Sequence, residues 1–327
     1  MLFPLVKRLA AVFLTAAGTV ASFQALAAQS DEAWPTRPVT VIVPFGAGGN
    51  MDIVARAVAD DMSKEYGQPF IIENRPGAGG MVGAQYTARA KADGYTFMIG
   101  GMGNMLQDHL YKHPLIDIRK DLTPVVQLLT VPNYLAVSPE LPVNSAEELI
   151  SLVKAEPGKH SCSNSGLGTA EHLACEMLNV MAGLDLTIVP YKSGAAAITD
   201  VIGGRATMSM VNDALPYIQD GRLKGLAVTS KARSPHAPEL PPLADAIPGY
   251  DVESWYAFFA PAGTPAAIVE KINVSARRSI AGEAMQQRLA ALGATGVDRS
   301  VEEFQQFFAQ EHERWGKLIA PLNIQMD

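Results

Sequence analysis

Apolar positions in this chain fall into short continuous runs that alternate with stretches of helical period. Val39–Val43 is a run of mostly β-branched residues, the pattern of a strand covered on both faces. After it Ile53, Val54, Ala57, Val58 and Met62 share one face of a predicted helix over 52–65. The pattern returns as a strand at 70–72, a helix at 82–90 and a strand at 96–99. A second series begins at 133–137. It runs through a helix at 145–154, a strand at Cys162, a helix to 181, a strand at 187–189, a helix at 195–202 and a strand at 223–229. A third series has a strand at 255–259, a helix started by Thr264 as N-cap with Pro265 behind it, and a terminal helix. Ser145 with Glu148, and Ser300 with Glu303, read as capping boxes. Short strands joined by such helices imply layered α/β architecture with parallel-rich sheets.

The proline-rich run 234–242 breaks this rhythm and reads as a linker. Chain crossings near 129–134 and 228–238 would build one domain from 28–133 with 229–327, and another from 134–228. GAGG occurs at 46–49 and 77–80 with different flanks, which makes two similar turns rather than a repeat. The amino terminus has Lys7 and Arg8, an apolar stretch at 9–20 and Ala25-Leu26-Ala27. This is the pattern of a signal peptide, residues 1–27, cleaved near Ala27 to give an exported protein. The stretch is short for a membrane span, and no cysteine follows for a lipid anchor. Loss of Lys7 and Arg8, the only charges in that segment, takes the formal charge from −7 to −9. An acidic chain without a basic cluster argues against nucleic acid. Cys162 and Cys175 can pair in an oxidising compartment and close a short loop; the alternative is two buried thiols. Two cysteines alone lack metal-site spacing.

Two glycine-rich turns carry the candidate chemistry. The first comprises Phe45, Gly46, Ala47, Gly48, Gly49, Asn50, Met51 and Asp52 after the Val39–Val43 strand. The second comprises Ser163, Asn164, Ser165, Gly166, Gly168 and Thr169 before His172. Each would open a helix, whose unpaired N–H groups and dipole attract anions, and glycine lets the anion approach the backbone. Facing each other across a cleft, they would grip a small carboxylate. Asn104, Tyr191, Lys192 and Asn212 complete the candidate ligand contacts. Asp52 would cap its helix or charge the first turn, and hold the glycine loop in shape. Met51, Met102, Met105 and Met210 either fill cores or, with Phe45, line an apolar cleft wall.

Other chemistries fit less well. A dinucleotide fingerprint needs glycine where Met51 stands. Ser151-x-x-Lys154 with Lys192-Ser193-Gly194 imitates penicillin-recognising enzymes, but Ser151 lies inside a helix and the spacing is too short. A hydrolase using Ser163 or Ser165 has no identifiable base. No catalysis, cofactor or metal is expected.

The motifs in their order resemble the Bug family, the periplasmic receptors of tripartite tricarboxylate transporters. The carrying segments include Trp34-Pro35-x-Arg37-Pro38, Val43-Pro44-Phe45-x-x-Gly48-Gly49-x-x-Asp52 and Glu73-Asn74-Arg75-Pro76-Gly77-Ala78-Gly79-Gly80. Later ones are Ser165-Gly166-x-Gly168, Val189-Pro190-Tyr191-Lys192, Leu226-Ala227-Val228-Thr229-Ser230 and Ala260-Pro261-x-Gly263-Thr264-Pro265. The resemblance implies a two-domain Venus flytrap of type II, a monomer that delivers a carboxylate to integral membrane permease subunits. In it the loops at 44–52 and 163–169 contact the ligand. A signalling partner in place of the permease would use the same closed form. Departures are Ala47 for the family's proline, Met51 for a hydroxyl residue, Ser193 for glycine, and a shorter stretch at 208–216 in which Asn212 matches a polar cleft position. They shift the expected ligand toward a carboxylate with an apolar or aromatic body.

Overall fold

The computed structural model describes residues 34–322 and Ile324; the signal peptide assigned to 1–27 lies outside them. The chain divides into a short unit, Met1–Arg37, of which only 34–37 are described, and a body, Pro38–Asp327.

The body is built on two sheets. The first has six strands: β1 (Val39–Val43), β2 (Phe70–Asn74), β3 (Thr96–Gly101), β4 (Leu122–Pro132), β10 (Glu253–Pro261) and β11 (Thr295–Gly296), in the order β11-β4-β10-β3-β1-β2. The second has five: β5 (Tyr134–Val137), β6 (His160–Asn164), β7 (Leu186–Pro190), β8 (Met208–Val211) and β9 (Lys224–Val228), in the order β7-β6-β8-β5-β9. Pairing is parallel where helices cross over, as for β1 with β2 and β3 and for β6 with β7 and β8. It is antiparallel around β10 and around β5. Both sheets are therefore mixed, because β5 and β10 enter from the other sheet rather than through a βαβ crossover.

The chain passes between the sheets at Asn133 and again after β9. These strands are stitched by buried polar bonds: Asn133 N–H donates to Thr229 Oγ1 (2.9 Å), and the Thr229 hydroxyl donates to the Val252 carbonyl (2.6 Å). The run 234–242 carries no helix and closes on β9 through a Val228–Pro242 bridge.

The helices follow from their apolar faces and caps. They are α1 (Asn50–Tyr66), α2 (Met81–Ala88), α3 (Met102–Met105), α4 (Gln107–Leu110), α5 (Ile118–Asp121), α6 (Ala146–Ala155), α7 (Ala170–Met181) and α8 (Gly194–Ile202), then α9 (Leu215–Gln219), α10 (Ala266–Ala281), α11 (Glu283–Ala291) and α12 (Val301–Ile319). Helix α12 buries Val301, Phe304, Phe308, Trp315 and Ile319, which lie on one face at helical spacing. Phe304 and Phe308 pack edge-on against Trp255 of β10, with centroids 6.1 and 6.3 Å from it. Ser300 and Glu303 form the expected reciprocal box. Two caps differ from expectation. The Glu148 carboxylate accepts from the N–H of Asn144, not Ser145, so only the Ser145 half of that box exists. The Thr264 hydroxyl donates to the Pro261 carbonyl, so Pro265 is the N-cap and α10 starts one residue later. Cys162 of β6 and Cys175 of α7 are joined by a disulfide, and both are fully buried. The bridge ties the strand before the second glycine turn to the helix after it.

Candidate functional site

The first glycine turn is shaped by Asp52. Its carboxylate, 3 % exposed, accepts from the Gly48 N–H (2.9 Å), Arg56 Nε and Nη2 (2.9 and 3.0 Å) and Asn74 Nδ2 (2.9 Å). Burial pushes this carboxyl up, but the bonds from Arg56, Gly48 and Asn74 outweigh it and hold it below the usual range. Gly48 adopts a φ of 89°, and a side chain on Gly46, Gly48 or Gly49 would meet only open space. The turn therefore stands open before the first N–H groups of α1.

The second turn is self-braced. Gly166 and Gly168 adopt φ values of 136° and 75°, which glycine tolerates. Asn164 Oδ1 accepts from the Gly166 N–H (3.0 Å). Thr169 caps α7 by accepting from the His172 N–H (3.1 Å) while donating to the Gly166 carbonyl (2.7 Å). The Ser165 hydroxyl donates to Glu171 Oε2 (2.8 Å).

The two turns meet. Between the sheets lies a cavity of about 170 Å3, lined from the first sheet by Phe45, Gly46, Ala47, Gly49, Asn50, Met51 and Asn104. From the second sheet come Ser165, Thr169, Lys192 and Asn212. All eleven were picked from the sequence. The glycine contacts are tight: a Cβ on Gly103 would sit 2.6 Å from the Gly168 carbonyl oxygen, and one on Gly79 would sit 2.6 Å from that of Leu167. Asn212 spans the gap, accepting from Asn50 Nδ2 (3.2 Å) and donating to Glu171 Oε1 (2.9 Å) and the Tyr256 hydroxyl (3.3 Å).

Seven candidates are not on the cavity wall. Gly48 and Asp52 stand behind the first turn, where they fix its shape. The Ser163 hydroxyl is buried and donates to the Met208 carbonyl (3.1 Å), which also removes it as a nucleophile. Asn164, Gly166 and Gly168 set the backbone of the second turn. The Tyr191 hydroxyl turns away to donate to Asp200. Of the methionines, Met51 and Met102 line the cavity, whereas Met105 and Met210 are core. His172 is not on the wall. Burial lowers its imidazole to about 4, and its Nε2 lies 3.5 Å from Glu176. Ser151 is an exposed helix residue donating to the Glu147 carbonyl.

Of the other lining residues only Met102 had been singled out for the site, as core or cleft wall. Gly101, Met102 and Gly103 form a third glycine turn; a Cβ on Gly101 would be 2.6 Å from the Trp255 carbonyl oxygen. Gly100-Gly101-Met102-Gly103 after a strand was the available signal. Ser193, which caps α8, and Gly194 add another helix start. Ser254, Trp255 and Tyr256 of β10 form the floor, with Ala170, Glu171 and Asp213 beside them.

The acids are unusual for an anion site. Burial raises the Glu171 carboxyl against the bonds from Ser165, Thr169 and Asn212. Burial and the Glu171 charge raise Asp213 to about 7. The N-terminus of α8 acts in the opposite direction, favouring the carboxylate. The same burial and both acids push Tyr256 well above the usual phenol value. Exposed Lys192 is the one cation on the wall. An Asp213 carboxyl raised from 3.8 to about 7 costs stability fully above that value, and the cost vanishes as pH falls toward 3.8. Asp213→Asn therefore stabilises the ligand-free protein at pH 8 by roughly 1–3 kcal/mol, after discounting for partial exposure. Urea melts at pH 8, 6 and 4 should show the gain shrinking stepwise. An equal gain at every pH would mean that the charge is not the cause.

Away from the cavity, Asp108, His109 and His312 are the one cluster of possible metal ligands among the described residues. Its groups are satisfied by each other: His312 Nε2 lies 2.8 Å from Asp108, and His109 Nε2 lies 3.1 Å from the His312 carbonyl. It binds α4 to α12. No helix among the described residues is long and apolar enough to cross a membrane.

Comparison with known proteins gives a consistent result. Residues 54–324 match the family described as tripartite tricarboxylate transporter family receptor, TctC. Protein BugT of Bordetella pertussis is 33 % identical over 313 residues, covering 94 % of each chain. Among solved structures, R. palustris Rpa4515 with adipate superposes with a TM-score of 0.83 at 36 % identity, covering 88 % of this chain and 98 % of that one. MatC from Rhodopseudomonas palustris, with bound malate, gives 0.81 at 31 % identity, covering 88 % and 100 %.

Proposed function

Because the chain belongs to the tripartite tricarboxylate transporter receptor family, whose Bug-type members are periplasmic solute-binding proteins, we propose that its cleft captures a small carboxylate with an apolar or aromatic body, closes over it and presents it to membrane permease subunits. Secretion through cleavage near Ala27 and a hinge between domains at 28–133 with 229–327 and at 134–228 belong to the same reading.

The observation that carries it is the meeting of two glycine turns from different sheets on one cavity. The Asp52 bond to the Gly48 N–H and the Asn164 and Thr169 bonds that brace the second turn support a preformed set of backbone donors at the starts of α1 and α7. Each helix start stabilises a carboxylate by roughly 0.3–1 kcal/mol, more when partly buried, in addition to charge-assisted hydrogen bonds. Phe45, Met51, Met102, Trp255 and Tyr256 supply the apolar wall for the ligand's body. The adipate and malate held by the two R. palustris proteins are carboxylates of the expected size class. The close approach of Gly79 to the Leu167 carbonyl and of Gly103 to the Gly168 carbonyl, each joining a turn of one sheet to a turn of the other, supports closure in this reading.

Native mass spectrometry of the purified mature protein, followed by a thermal-shift panel, tests this. Monocarboxylates with aliphatic or aromatic bodies should raise the melting temperature by about 2–4 °C or more at a hundredfold excess over Kd. Shifts only with malate or citrate would overturn the apolar-body reading.

A further inference from the structure

The cavity lining holds two acids that a simple carboxylate ligand does not explain. Gly49, Asn50 and Met51 of the first turn and Ser165, Thr169 and Ala170 of the second line it, and so do two acids, Glu171 in the first turn of α7 and Asp213 beside Gly194. Glu171 is 8 % exposed and already accepts one bond on each oxygen, from Asn212 and Ser165, so it is held as an acceptor. Asp213 has no hydrogen-bond or ion-pair partner among the described residues, although it lines the cavity. Asn104, which also lines the cavity, is 1 % exposed, and its Nδ2 is unpartnered among the described residues. Buried polar groups are rarely left unpaired, and buried charges need an opposite charge.

A carboxylate with only an apolar body would satisfy the donors and bring a third negative charge beside two acids. Exposed Lys192 is the only lining cation to offset them. We infer that the ligand carries a protonated amine as well as its carboxylate, and that Asp213, with Glu171 beside it, is the subsite for that cation. An ammonium has three donors. The free Asp213 oxygens and the remaining lone pair of the Tyr256 hydroxyl are acceptors on the same wall. The ligand class is then an amino acid or ω-amino acid with an apolar body, carboxylate toward the glycine turns and amine toward Asp213. This rests on the carboxylate reading above.

The probes are hexanoate, adipate, norleucine and 6-aminohexanoate, titrated calorimetrically at pH 7.5 into wild type and Asp213→Asn. One of the two amino acids should bind wild type at least tenfold tighter than hexanoate. In Asp213→Asn that amino acid should lose at least tenfold while hexanoate tightens. Opposite shifts on one variant cannot come from misfolding. Glu171→Gln should move both ligands the same way by a smaller factor. If hexanoate or adipate binds wild type as tightly as either amino acid, or if Asp213→Asn weakens all probes alike, this inference fails and the carboxylate reading stands. If none of the four binds wild type, this inference fails, and the carboxylate reading fails with it when the aromatic carboxylates of the thermal-shift panel also give no shift.

Discussion

Gly103→Val should reduce ligand affinity at least a hundredfold while leaving the ligand-free protein close to wild-type stability. A Cβ at this position would lie 2.6 Å from the Gly168 carbonyl oxygen and 3.2 Å from the Thr169 Cα, both backbone atoms that no rotamer change can move aside. The contact joins a turn on the first sheet to a turn on the second. On the closure proposed above, the side chain has nowhere to go when the sheets meet and reaches solvent when they part. Gly103 is not among the glycines of positive φ, so the substitution brings no backbone strain of its own, and valine is a better helix former than the glycine it replaces in the short α3. Gly168 is less suited to the experiment, since its φ of 75° would strain any side chain whether or not the cleft closes. The measurement is calorimetric titration of the best carboxylate from the thermal-shift panel, with small-angle scattering alongside. Wild type should contract when ligand is added and the variant should not, because capture requires that the ligand make more contacts in the closed state than in the open one. Wild-type affinity in Gly103→Val would remove closure at this contact from the account.

Much of the frame was legible because the periodic signals are local. The Val39–Val43 run, the face of α1 and the Ser300 box fix their elements within a few residues of sequence. Strand β4 was missed. Its sequence Leu-Thr-Pro-Val-Val-Gln-Leu-Leu-Thr-Val-Pro is buried along most of its length between β10 and β11, so it shows no alternation, and Pro124 reads as a breaker. Strand β8 has only four residues, one a serine buried between neighbours. Both are paired to strands distant in sequence, which is why parallel pairing was overestimated.

The site divides in the same way. Glycine turns announce themselves because the backbone conformation demands glycine whatever surrounds it. The acids do not. Glu171 in the first turn of α7 reads as an ordinary helix-start charge, and Asp213 as a polar loop residue. Only the fold brings them to Tyr256, with Asn212 bridging elements 41 and 44 residues apart. A side chain whose meaning depends on partners that far away leaves no local trace.

Asp52→Ala should cost roughly 2–4 kcal/mol of stability and weaken ligand binding at least tenfold, although residue 52 does not touch the cavity. The carboxylate accepts four bonds in a nearly buried setting, and its loss orphans the Gly48 N–H and Asn74 Nδ2 together. Arg56 contributes less to that cost, since its side chain is half exposed and returns to water. Asn74 also donates to the Phe45 carbonyl (3.1 Å), so the disturbance reaches the cavity wall through the far end of the loop. The pH dependence separates this ionic anchor from mere packing. Asp52 is held below the usual carboxylate value of 3.8, so its stabilisation is fully present above that pH and is lost as pH falls through the lower folded value. The stability gap between wild type and Asp52→Ala, measured by urea titration, should therefore be constant from pH 5 to 7 and narrow below about pH 3.5. A gap that stays the same in acid would show that the lost volume matters and the charge does not. A full gap with unchanged ligand affinity would show that α1 needs Asp52 but the glycine turn keeps its shape without it.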